Sequence, residues 1–198
     1  LDILLSEREP DATDHGDQRL ADALRMHGRT VLAAAMLFNN GSLASSPASD
    51  AQAISLKAVK NTGQGAERLV KADSLLRPLA EFEEVAAVGH VNQQSLDIGQ
   101  TRAQYPVLAY GEWLIPSFPL LLAAAQHDLP QGAIGFDFAG ALILGKDRLP
   151  LDDRYGLGLN YLGPTGTIRT YSALDLIEGR IPPALLKDRI VLIGVSAT

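Results

Sequence analysis

The feature that most constrains this chain is the apolar run Val31–Leu37, which is unbroken and bounded by Gly28-Arg29 before and Asn39-Asn40-Gly41 after. A strand that faces solvent on one side alternates polar and apolar residues. An uninterrupted short run is the pattern of a strand buried on both faces. Leu1–Leu5 reads as the tail of another buried strand. Between the two, Asp14 is placed to cap a helix running to His27, with Leu20, Ala21, Leu24 and Met26 on its apolar side and Gly28 stopping it. Strand, helix, strand is the unit of a parallel sheet.

The remaining pattern extends this frame. Residues 39–70 are rich in Ser, Ala, Gly and Asn, and read as a mobile excursion or insert. Lys71–Glu84 has helical spacing through Leu75, Leu76, Leu79 and Phe82, with Pro78 marking a break or a start. Val85–Asn92 reads as a strand, and 101–115 as a hairpin turning at Gly111. Ser117 caps an alanine-rich helix to His127, with Pro119 in its first turn. Ala133–Leu144 and Leu149–Tyr161 read as antiparallel strands joined at Gly145-Lys146-Asp147. Tyr171–Glu178 reads as a helix capped by Ser172, and Ile190–Val195 as a second buried strand. The expectation is one α/β domain over residues 1–198, with a mixed, partly parallel central sheet, helices on both faces and antiparallel hairpin additions.

Composition narrows the function. The 198 residues carry 17 Lys and Arg against 23 Asp and Glu, a net charge of −6. No basic cluster is available to neutralise phosphates, which argues against nucleic acid as a partner. There is no cysteine, so disulfides, thiolate catalysis and cysteine-ligated metals are excluded. The apolar stretch 114–125, interrupted by Pro116, Ser117 and Pro119, is shorter than the roughly 20 residues a bilayer span needs. No signal peptide is visible, and the chain starts without Met, as an excised fragment would.

Motifs for chemistry fall short. Gly140–Lys146 has phosphate-loop spacing, but Asp147 stands where Ser or Thr would bind magnesium, and the residues between the glycines form a strand pattern. Gly194-Val195-Ser196-Ala197-Thr198 matches part of a nucleophile elbow but ends in Thr. In the glycine-rich stretch from Gly156, Tyr161 occupies the third glycine position of a dinucleotide fingerprint. His15, His27, His90 and His127 show no metal spacing, and Asp11, Asp14, His15 and Asp17 read as a solvated loop with a helix cap. Neither a catalytic residue nor a metal or cofactor site is expected.

Three segments in order resemble a known family. They are Val88-Gly89-His90-Val91-Asn92, then 159–167 (LNYLGPTGT), then 188–198 (DRIVLIGVSAT). With Leu1–Glu7 ahead of them, with Ile115-Pro116-Ser117 before the helix and with 170–179 (TYSALDLIEG), the chain resembles the second class of CHASE domain, the cyclase/histidine-kinase-associated sensory extracellular module. The resemblance spans nearly the whole chain. It implies a sensor on the periplasmic or extracytoplasmic side of a bacterial membrane, anchored through its parent protein. The implied output is a nucleotide cyclase, a diguanylate cyclase or a kinase. The implied partner is a small-molecule or protein signal of unknown identity, and a homodimer is compatible with it. It brings neither a defined ligand nor catalytic residues. The family's first strand and helix would precede Leu1, and a segment leading back to the membrane would follow Thr198. Residues 39–70 are longer and more polar than the family pattern, and Leu96-Asp97-Ile98-Gly99-Gln100 replaces its Asp-x-Asp-Gly turn.

In open α/β sheets ligands sit beyond the carboxyl ends of parallel strands. That rule selects Ser6, Asn92 and Ser196, with Asp2 and His90 as nearby polar groups, as the candidate ligand-binding residues. The competing reading is a protein-interaction or dimerisation module without a small ligand.

Overall fold

The computed structural model describes residues 1–10, 15–38, 59–60, 65–93, 101–111, 113–130, 133–164 and 166–195. Its centre is β1 (Val31–Leu37), the run that led the sequence reading. β1 pairs in parallel with β4 (Ala87–His90), from Val31 opposite Ala87 to Ala34 opposite His90. Its far half pairs antiparallel with β3 (Ser74–Leu76), Leu37 lying opposite Ser74. The near half of its other edge is taken by the chain start. The Ala33 N–H donates to the Leu1 carbonyl at 3.1 Å, and the Leu1 nitrogen donates to the Val31 carbonyl at 2.6 Å. A parallel bridge then joins Asp2 to Gly194, and another joins His90 to Ser117. The result is the mixed α/β sheet the sequence indicated.

Alternation along β1 sorts the helices to its two faces. Leu32, Ala34 and Met36 pack with Ala21 and Leu24 of α1 (Gly16–His27) and with Phe82 of α2 (Ala80–Glu83). Val31 packs with Phe118 and Leu121 of α3 (Phe118–Gln126). Full burial of a side chain such as Leu32, Leu108 or Ile115 stabilises the fold by roughly 1.5–3 kcal/mol. Gly89 lets α3 approach the sheet, because a Cβ there would lie 2.7 Å from both Cα and N of Phe118.

Two antiparallel units complete the structure. β2 (Val59–Lys60), β7 (Trp113–Pro116) and β6 (Val107–Tyr110) form one sheet, whose hairpin turns at Gly111 with φ 56°. β8 (Ile134–Asp137), β9 (Ala141–Leu144) and β10 (Asp147–Pro150) form a meander. The glycines of the phosphate-loop spacing therefore sit in turns around β9, Gly140 at φ 107° and Gly145 at φ 61°. Strand β11 (Leu157–Gly158) pairs with β5 (Ala103–Gln104).

Several expectations are corrected. α1 begins after His15, and Glu9 meets its first turn twice: the Gly16 N–H donates to Glu9 Oε2 at 2.9 Å, and the Glu9 N–H donates to Asp17 Oδ2 at 3.1 Å. Asp11 and Asp14 lie outside the described residues. Met26 points to solvent, outside the buried Ala21 and Leu24. Lys71–Glu84 is not one helix, since Leu75 and Leu76 belong to β3 and the helix starts at Ala80, past Pro78. The stretch 133–144 folds back at 138–140, so a third strand appears, and β10 ends at Pro150. Most of 39–70 lies outside the described residues, but Leu69 is buried against Val107 and Leu114. The last helix, α4 (Ala173–Ile177), is a short turn of chain with no buried residue.

The largest correction concerns Ile190–Val195. It meets the sheet at the Asp2–Gly194 bridge, yet Ile190 to Ile193 are between 44% and 62% exposed. Its apolarity is real, but among the described residues no element covers it.

Candidate functional site

The parallel segments 1–2, β1 and β4 direct their carboxyl ends the same way, which fixes where the candidate residues fall. His90 is the last residue of β4 and has no exposed surface. It shares the register of Val88 and Ala34, the sheet face that packs with α1. Among the described residues neither ring nitrogen has a hydrogen-bond partner. Burial without a compensating charge pushes its pKa down to about 3, so the ring is neutral. A neutral imidazole still carries one donor and one acceptor, and leaving them unmet costs roughly 1–3 kcal/mol each.

Asn92 is committed to the scaffold. Its Oδ1 accepts from the Met36 N–H at 2.8 Å, and its Nδ2 donates to the Met36 carbonyl at 2.6 Å. The amide reproduces a strand's donor-acceptor pair one step beyond β4, so it prolongs the β1–β4 pairing by side chain. The Asn92 carbonyl in turn faces Gln104 Nε2 at 3.5 Å. A ligand reaching this amide would compete with Met36.

Ser6 is half-buried and follows Leu5, whose carbonyl accepts from the Leu79 N–H at 2.9 Å. Asp2 is exposed, and its backbone N–H donates to the Ile193 carbonyl at 2.8 Å. Ser196 lies outside the described residues. The structure thus sets Asp2 against Ile193 and Gly194, His90 at the end of β4 with Asn92 two residues on, and Ser6 beyond the chain-start segment.

Sequence reasoning missed three features. Arg77 and Glu83 form an ion pair with side chains only 13% and 5% exposed, Arg77 Nε donating to Glu83 Oε1 at 2.8 Å. Their spacing gives no signal, because β3 and α2 bring them together. Tyr155 is buried with φ 61°, a backbone region that bulky side chains seldom occupy. The Asp152 carboxylate holds that turn by accepting from the Arg154 and Gly156 N–H groups, and Tyr155 Oη donates to the Phe138 carbonyl at 2.9 Å. The Asp-Asp-Arg-Tyr-Gly string was a legible turn signal. Tyr105 stands near this turn. Burial raises its pKa first, Arg154 lowers it, and Asp152 raises it again.

Among the described residues no group of three or more His, Asp or Glu is placed to hold a metal ion, and no helix is long and apolar enough to cross a membrane. Comparison with curated proteins and with solved structures returns no match. A family model does match. The CHASE2 domain model covers residues 1–198, so the chain belongs to the CHASE2 family, a family of sensory extracellular domains.

Proposed function

We propose that this chain is the extracytoplasmic input domain of a bacterial transmembrane signalling protein, with a nucleotide cyclase, a diguanylate cyclase or a kinase as its output. A small molecule or a protein supplies the signal. The observation that carries this reading is the full-length CHASE2 match taken with the adjacency of Asp2 and Ile193. A signal crosses a membrane only if it binds two arrangements of the receptor unequally. The Asp2–Gly194 bridge is the element such a preference would act on. It is a narrow contact between an early segment and a late one, with the Asp2 N–H donating to the Ile193 carbonyl at 2.8 Å. Asp2, Ser6, His90, Asn92 and Ser196 are the residues proposed to bind the ligand, a reading supported by the rule that ligands sit beyond the carboxyl ends of parallel strands.

The test is the parent reading frame and its topology. A periplasm-active phosphatase fused after residue 198 should be active, a cytoplasm-dependent fluorescent fusion at the same place should be dark, and hydrophobic spans should link the domain to a catalytic output. A parent without spans, or with the domain on the cytoplasmic side, contradicts the proposal. The exposed apolar residues between Leu159 and Val195 favour one further reading, a protein-interaction module without a small ligand.

A further inference from the structure

His90 and Asn92 meet very different surroundings at the end of β4. Asn92 gives both ends of its amide to the Met36 backbone, accepting the N–H at 2.8 Å and donating to the carbonyl at 2.6 Å. Two residues earlier, the His90 ring has no exposed surface and, among the described residues, no partner for either nitrogen. Between them the Val91 N–H donates to the Ala34 carbonyl at 2.9 Å. His90 thus occupies the last rung of the β1–β4 pairing, opposite Ala34, and the Asn92 amide fastens the chain just past that rung.

No charge stands near to receive a proton on this ring. β1, β7 and α3 pack against β4, and none of the three carries an ionisable side chain. Tyr105 and Tyr110, in the core cluster on the His90 face, are phenols and uncharged in acid. α1 turns Arg19, Asp22, Arg25 and His27 to solvent, and its Asp17 carboxylate accepts from the Glu9 N–H. Glu81 and Glu83 of α2 are held by Arg8 and Arg77. A protonated His90 is therefore stable only where the ring reaches water, and a strand end frays at far lower cost than a strand middle.

We propose that His90 and Asn92 form an acid-operated latch: protonation of the His90 ring frays the carboxyl end of β4, and the fraying releases the Asn92 amide from Met36. The freed amide offers a donor and an acceptor to a polar ligand, so acid regulates the candidate site itself. As a signalling device the latch rests on the sensory reading, whereas its opening is a property of the chain and succeeds or fails apart from the topology of the parent protein. Burial holds the His90 pKa at about 3 in the closed form against about 6.5 in water, so the ratio of open to closed rises about thirtyfold from pH 8 to pH 5.

Amide hydrogen exchange of the chain, followed residue by residue at both pH values, tests the latch. The Met36 and Val91 N–H groups report its opening. The Ala87 N–H, which donates to the Thr30 carbonyl at 2.9 Å at the other end of β4, reports the rest of the pairing. Protection of Met36 and Val91, corrected for intrinsic exchange, should fall about thirtyfold from pH 8 to pH 5, while that of Ala87 changes by about threefold or less. His90→Gln keeps a donor and an acceptor but does not titrate, and should abolish the fall; His90→Leu serves in its place if the first variant does not fold. An equal loss at Ala87, unchanged protection at Met36 and Val91, or a loss that persists in the non-titrating variant would overturn the proposal.

Discussion

The carboxamide of Asn92 holds the backbone of Met36 from both sides, accepting its N–H at 2.8 Å and donating to its carbonyl at 2.6 Å. This makes a predicted ligand-facing residue a clamp on the central strand. Asn92→Ala should remove both bonds and destabilise the domain by about 1–3 kcal/mol. Asn92→Asp should cost at least as much as Asn92→Ala, because a carboxylate oxygen would face the Met36 carbonyl oxygen. Urea unfolding midpoints at constant slope check the order.

His90 predicts a pH dependence. Its folded pKa of about 3 lies below the unfolded value near 6.5, so between these limits the unfolded chain binds the extra proton. The folded state therefore has its full stability above pH 6.5 and loses it as the pH falls towards 3, by at most about 1.4 kcal/mol per pH unit. His90→Leu removes the orphaned nitrogens and should be as stable as the parent or more so at pH 7. It should also flatten the slope between pH 6 and pH 4. Denaturant titrations across that window read both effects. An equal slope in the variant would assign the pH dependence to other groups.

The buried pair Arg77–Glu83 ties β3 to α2, and breaking it from one side should be expensive. Glu83→Gln removes the carboxylate that Arg77 holds in this buried pair and should cost about 3–5 kcal/mol. The double variant Arg77→Met, Glu83→Leu should recover most of that loss, since two matched apolar groups can replace a buried ion pair at little net cost. Thermal unfolding of the two variants against the parent measures the difference.

Gly89→Ala should push α3 from the sheet, because the new Cβ would meet the backbone of Phe118 at 2.7 Å and backbone does not yield as a side-chain tip does. A loss of about 1–3 kcal/mol is expected, in the range of an overpacked core. Faster amide exchange in Val31 and Leu121, on the two sides of that contact, would locate the damage.

These contacts show how far local pattern reaches. β1, the Gly111 hairpin and the Ser117 cap were legible because each rests on neighbouring residues: an unbroken apolar run, a glycine able to take positive φ, a hydroxyl three residues before its N–H. Leu75, Leu76, Leu79 and Phe82 misled because their spacing suits a helix face, while pairing with β1 drew the first two into a strand. Ile190–Val195 misled for a deeper reason. An apolar run states that it needs cover, not what supplies it, and the surface it meets is set by the whole sheet. At the site, the β-end rule picks out His90 and Asn92 at and just beyond the end of β4, while the contacts they make there are set by residues far away in the chain. Whether an amide is free or spent depends on Met36, fifty-six positions earlier in the chain.

The bridge between Asp2 and Gly194 carries the account of signalling, and its geometry allows a direct test. A Cβ built on Gly194 lies 3.6 Å from the Asp2 Cβ, within the separation a disulfide requires. The chain has no cysteine of its own. In the parent protein, Asp2→Cys with Gly194→Cys should form a bond on oxidation, and the rate of the cytoplasmic output should change with it and return on reduction, while neither single variant responds. An output rate that stays the same with the bridge locked and released would contradict the relay through Asp2 and Gly194.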